Sequence, residues 1–249
     1  MKRIINWKLF YILLIACIIT SILVLPYQMT LVPELADIGA LLYVSALSQS
    51  IIIFSIVTFL GLLLAPRAGF SLPELESKKG WKELVPILLP SVIWGVLCGI
   101  LIVLGDFILQ KLSVSLFTEE MHTPVWVAFI ASFYGGIAEE VLMRLFLVSF
   151  IAWLASKFRK TEDGMPTNGG VWSAIIIASV LFGLGHLPFT GALTEITTVI
   201  VVRAIVLNGI GGVIFGWLYW KKGLVSAMIA HFSTDIVLHV VTPLLVKLF

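Results

Sequence analysis

The chain has 249 residues, 60% of them hydrophobic and only 12% charged, where ordinary soluble domains carry roughly 25% charged residues. Mean hydropathy is +1.11, which excludes a water-facing globular domain and points to a helical bundle solvated by lipid. A formal net charge of +2, with no long basic tract, excludes a nucleic-acid partner.

Seven apolar segments are long enough to cross a bilayer, at 8–28, 38–65, 84–110, 124–156, 171–187, 194–219 and 223–247. The expected fold is therefore all-α, a polytopic transmembrane bundle of about seven spans forming one domain over residues 1–249. Lys2, Arg3 and Lys8 precede the first apolar run, Leu9 to Leu25. That run is longer than a secretory h-region and no small-residue cleavage site follows, so it reads as an uncleaved span. Cys17 and Cys98 sit in apolar runs far apart and read as small buried hydrophobes. The stretch from Pro66 to Glu83 carries mixed charge and is expected at the surface. Asp106 and His122 are expected solvated near the outer surface. The fourth segment is too long for one straight crossing, so Gly135-Gly136 should kink it or its end should pass the membrane surface. Residues 161–170, with Gly, Pro and Asn, form a loop.

The cations support this count. With a cytoplasmic N-terminus, twelve Lys and Arg fall on inner loops, from Lys2 to Lys222, and only Lys111 and Lys247 on the outer side, a positive-inside bias. Trp7, Trp81, Trp126, Trp172 and Trp220 lie near span ends, as an aromatic belt would.

Ionisable residues inside spans cost at least about 2.5 kcal/mol each on insertion scales and so mark function. Spans one and two have none in their interiors, whereas Glu139, Glu140, Arg144, His186, Arg203, His231, Asp235 and His239 crowd spans four to seven. On a helix Glu140 and Arg144, four apart, share a face and neutralise one another. Glu139 is turned about 100° away and is expected to lack that partner, free to act as a general base. The competing reading is an ion-pair network that only holds helices together. In Phe182-Gly183-Leu184-Gly185-His186-Leu187-Pro188, the glycines permit close backbone approach and Pro188 breaks the helix just after His186. His231, Asp235 and His239 fall on one face of span seven. His231 and Asp235 either make helix–helix hydrogen bonds or face the same cavity as Glu139 and His186; His239, nearest the C-terminus, reads as structural. Arg203 and Asn208 could line the cavity, although no motif supports them.

Three segments together, Glu139-Glu140-x-x-x-Arg144, Phe182-x-x-x-His186 and His231-x-x-x-Asp235, resemble the motifs of the CAAX-prenyl-protease and bacteriocin-processing family, CPBP or Abi. The resemblance covers roughly residues 124 to 240. It implies scaffold spans over 1–123, a catalytic core over 124–249 and a multi-pass protein of the cell membrane. It further implies an intramembrane endopeptidase acting on a membrane-associated peptide or protein, prenylated or bacteriocin-like. Glu139 would be the general base, acting with His186 on the attacking water. His231 and Asp235 would stabilise the oxyanion, with Glu140 and Arg144 in support. The family often has Asn where this chain has Asp235. An ionised Asp cannot donate to an oxyanion, so Asp235 would carry a proton, fix the His231 tautomer or help bind a metal. No cofactor is required on this reading. A divalent metal such as zinc, held by Glu139, His186 and His231, is the metalloprotease alternative. A non-catalytic scaffold or bacteriocin self-immunity protein is the main alternative function. A proton-relay transporter would show paired halves with broken helices, and no such symmetry is evident in the sequence.

Overall fold

The computed structural model describes residues 5–72, 75, 81–112 and 123–246. Seven helices among them are long and apolar enough to cross a membrane: Trp7–Leu31, Ala40–Ala68, Leu84–Lys111, Val125–Phe158, Asn168–Leu193, Thr198–Lys222 and Leu224–Val246. They are called spans one to seven below. No strand occurs among the described residues. The chain is a multi-pass helical membrane protein, and its surface chemistry is that of one. Large apolar side chains such as Leu41, Leu89 and Trp126 are exposed, while Glu140 and Arg144 are buried. In lipid the arrangement is favourable, because the outside needs no polar groups and the inside can satisfy its own.

Local signals place the span starts. Asn6, Thr167 and Thr197 each accept a hydrogen bond from a backbone N–H in the first turn of spans one, five and six, satisfying a donor the helix leaves free. Spans six and seven are joined by a single residue, Gly223, at φ 94°, a conformation that costs a side-chain-bearing residue and suits glycine. The two helices are therefore locked as a hairpin.

Span four lies at the centre. Span two packs along its second half, and spans one and seven pack along its first half. Span five packs on span six, and span three on spans six and seven. Small residues allow the approach: a Cβ on Gly95 would strike the Ala230 carbonyl oxygen, and one on Gly212 would lie 2.6 Å from Ser179 Cβ. Hydroxyl bonds tie the same contacts, Thr234 to the Gly95 carbonyl at 2.8 Å, Ser91 to Ser226 at 2.7 Å and Ser149 to Tyr219 at 2.8 Å.

Span four is long because it is not α-helical throughout. Tyr134–Glu139 and Val141–Val148 are wound as π-helix, and a further wide segment, Ile236–Val241, follows Asp235 in span seven. Such turns are often associated with functional sites. No single glycine kink is needed to account for the length of span four.

Candidate active site

The π-helical stretch of span four presents Glu139, Glu140 and Arg144. Glu140 is fully buried, and its Oε1 lies 3.0 Å from Arg144 Nη1, the i, i+4 pair expected from sequence. Arg144 also donates to the Gly212 carbonyl of span six at 3.4 Å. Its guanidinium sits over the rings of Phe182 and Phe215, 5.2 and 5.3 Å from their centroids.

Span seven delivers His231 onto the same carboxylate. His231 Nδ1 is 2.7 Å from Glu140 Oε1. Arg144 faces that oxygen from the other side, and a carboxylate paired with a buried cation accepts hydrogen bonds, so Nδ1–H is the donor. The ring is held further by stacking on Phe215, at 4.6 Å and 21°, and by the edge-on Phe182 at 5.9 Å. Its other nitrogen, Nε2, faces Glu139 Oε2 and Asp235 Oδ1, each at 3.7 Å. That distance is too long for a direct hydrogen bond. Exposure separates the roles. The side chains of Glu139 and Asp235 are 20% and 14% exposed, whereas Glu140 is sealed. Among the described residues Glu140 Oε2 has no hydrogen-bond partner, and Arg144 and His231 hold the carboxylate through Oε1.

His186 stands where span five breaks. The helix proper ends at Gly185 and resumes at Leu187 with Pro188 in its first turn. The His186 N–H turns to the Gly183 carbonyl, and the Phe182 carbonyl is taken by the histidine's own Nδ1 at 2.8 Å. A carbonyl only accepts, so Nδ1 carries the hydrogen. His186 joins the cluster through the edge of Phe182, at 4.7 Å, and not through a direct polar contact with Glu139 or His231.

Of the residues singled out in the sequence, Glu139, Glu140, Arg144, His231 and Asp235 thus meet directly, and His186 meets them across an aromatic ring. Arg144 pairs with Glu140 and not Glu139 in the described contacts, as expected, and Glu139 shares its side of the cluster with His231 Nε2. Asp106 is not simply solvated: its Oδ1 lies 2.7 Å from Arg203 Nε and 2.6 Å from Nη2. Arg203 therefore belongs to an ion pair with span three, because the two helices pack side by side. Asn208 donates to the Ala204 carbonyl of its own helix, and His122 lies outside the described residues. Phe215 and Gly135 were missed. A Cβ on Gly135 would overlap Asp235 Oδ2 and come within 3.0 Å of His231 Nε2. Phe215 has no sequence signal among so many aromatics, whereas Gly135 stood in a pair marked only for a kink.

Among the described residues, no three His, Cys, Asp or Glu side chains are gathered as metal ligands would be. His186 in particular does not converge with Glu139 and His231 on one point, so the residues do not fit the proposed zinc site as they stand. An apolar groove of about 350 Å³ between spans one and two, lined by Trp7, Phe10, Ile56 and Phe59 among others, shares no residue with the cluster.

Residues 121–237 match the protein family described as Rce1-like, type II CAAX prenyl endopeptidase. No curated protein and no solved structure matches the chain.

Proposed function

On the match of residues 121–237 to the Rce1-like, type II CAAX prenyl endopeptidase family, we propose that this multi-pass membrane protein hydrolyses a peptide bond of a membrane-associated substrate with Glu139 as general base. The family supports a CAAX-type protease; the residue roles are our reading of the geometry. One observation carries it: Glu139 Oε2 and Asp235 Oδ1 flank His231 Nε2 at 3.7 Å each, while Nδ1 of the same ring is anchored on buried Glu140.

A water held by Glu139 loses a proton to it as its oxygen attacks the substrate carbonyl. Charge builds on the carbonyl oxygen. His231, as the imidazolium held by Glu140, meets that oxygen with Nε2–H, a preorganised donor in a dry setting. Asp235 beside Nε2 steadies the imidazolium. The carbon–nitrogen bond then breaks, and Glu139 passes its proton to the leaving nitrogen, giving an acid and an amine. No step is routed through a metal. Apolar helix walls would receive a lipid-modified or membrane-spanning chain. The Lys and Arg bias supports a cytoplasmic N-terminus.

The test is cleavage of a panel of membrane peptides, with and without C-terminal prenyl groups, by purified protein in vesicles. Product from the wild type, none from Glu139→Gln, and no effect of a chelator is the expected result. Equal product from both proteins overturns the role of Glu139. Loss of product on chelation, restored by zinc, overturns the metal-free mechanism. If neither protein yields product while function in cells persists in both, the fold serves as a scaffold or self-immunity protein.

A further inference from the structure

Span seven carries a third residue on the stripe that begins with His231 and Asp235. His239 is exposed, and its Nδ1 lies 3.1 Å from the hydroxyl of Tyr27 in span one, 212 positions away in sequence. The rings meet edge to face, with centroids 5.5 Å apart. In span one, Thr20 and Ser21 bond to carbonyls one turn back, and Thr30 meets Thr123 just before span four at 3.1 Å. Tyr27 reaches span seven. The pair sits beside the cluster already described, since Tyr27 is within electrostatic reach of Asp235, and His239 of both His231 and His186.

An exposed histidine inside a membrane span is costly unless it is used, and this one is held from one side only. Among the described residues its Nε2 has no hydrogen-bond partner. Whichever way the proton lies between Tyr27 and Nδ1, the ring is fixed in orientation and Nε2 is offered as a neutral donor or acceptor. Such a group suits the backbone of a peptide chain. Eight residues of helix separate His239 from His231, a rise of roughly 10–12 Å. An extended peptide covers that in about three residues, at about 3.3 Å each.

We propose that His239, oriented by Tyr27, binds the backbone of the peptide substrate about three residues from the bond that is cut. The proposal rests on the hydrolytic reading above and deepens it, by giving the site a minimum substrate length and bringing span one into it. Tyr27 is a positioning residue, because it acts through the histidine.

The experiment compares long peptides with peptides cut to one or two residues on either side of the scissile bond. For the long peptides, Tyr27→Phe and His239→Ala should raise KM about five- to tenfold, the loss of roughly one hydrogen bond, with kcat within about twofold. For peptides shortened on the side that His239 reads, the variants and the wild type should have the same KM. His239→Gln, which keeps a donor and an acceptor, should restore most of the long-peptide KM. Equal effects on long and short peptides, a fall in kcat at unchanged KM, or a lowered melting temperature with unchanged kinetics would make the pair a helix tie and overturn the proposal. If the wild type cuts nothing, the hydrolytic reading fails first. Binding of the long peptide to Glu139→Gln, with and without Tyr27→Phe, then decides the pair alone: a five- to tenfold weaker Kd sustains it and no change overturns it.

Discussion

Gly135 and Asp235 compete for the same volume: a single methyl on the glycine would overlap Oδ2 of the aspartate and press within 3.0 Å of His231 Nε2. The site is therefore built on a missing side chain. Gly135→Ala should reduce peptide cleavage at least about tenfold, since small displacements of reacting groups are expensive, with little change in melting temperature. The neighbouring Gly136→Ala should do the reverse. Its Cβ would meet Phe232 Cβ at 2.9 Å and the Met228 carbonyl oxygen at 3.1 Å, so it should lower the melting temperature more than it lowers kcat. Assay and thermal scan on both variants check the pair.

Glu140 and Arg144 are both sealed from solvent, and a buried ion pair broken on one side leaves a charge without compensation. Arg144→Met alone should destabilise the protein by about 3–5 kcal/mol, and Glu140→Gln by a similar amount. The double variant Glu140→Gln with Arg144→Met should recover much of that stability, because no lone charge remains. It should not recover activity, because His231 has lost the carboxylate that anchors Nδ1. Unfolding of the four proteins in one detergent measures the coupling.

Asp235 Oδ1 lies 3.7 Å from His231 Nε2. Replacing it with Asn removes a negative charge beside His231 Nε2 but supplies an N–H donor in the same place. Asp235→Asn should keep activity within about threefold of wild type or raise it. Asp235→Ala should lose about 10²-fold, near the low end for removing one group that serves an oxyanion. Equal losses in both variants would mean that the charge itself is required. Steady-state kcat/KM for the three proteins distinguishes the cases.

The Asp106–Arg203 pair should behave as structure alone. Asp106 also accepts from Gln110 at 2.9 Å, and no residue of the proposed mechanism touches it in the described contacts. Asp106→Asn is expected to cost about 0.6 kcal/mol of stability, the average for a polar contact between spans, and to leave kcat unchanged. A fall in kcat without a change in melting temperature would bring this pair into the chemistry.

Hydropathy read the spans well because lipid imposes a length: the fourth was expected at 124–156 and is Val125–Phe158. Charges in apolar runs located the cluster for the same reason, since each is too costly to be incidental. The pairing inside the cluster was not legible. The sequence places Glu139 and Glu140 side by side but not the rotation of span seven, which sets His231 Nδ1 on Glu140 and turns only Nε2 toward Glu139. Asp106 looked solvated because a position near a span end says nothing of Arg203, 97 residues on. Tyr27 and Phe215 were invisible, being two aromatics in a chain that is 12% aromatic.

The wide turns at Tyr134–Glu139 and Val141–Val148 carry one further implication. Each turn holds more residues than an ordinary helix would, so deleting one, Leu142 for instance, is the cheapest way to make the rod regular. Regularity would be gained at the expense of aim: Arg144 would stand three residues from Glu140 instead of four, and the 3.0 Å pairing with Oε1 would have to be remade at the new spacing. Selection for a sturdier fourth span and selection for its chemistry therefore pull this stretch in opposite directions, and its length is where the two are balanced.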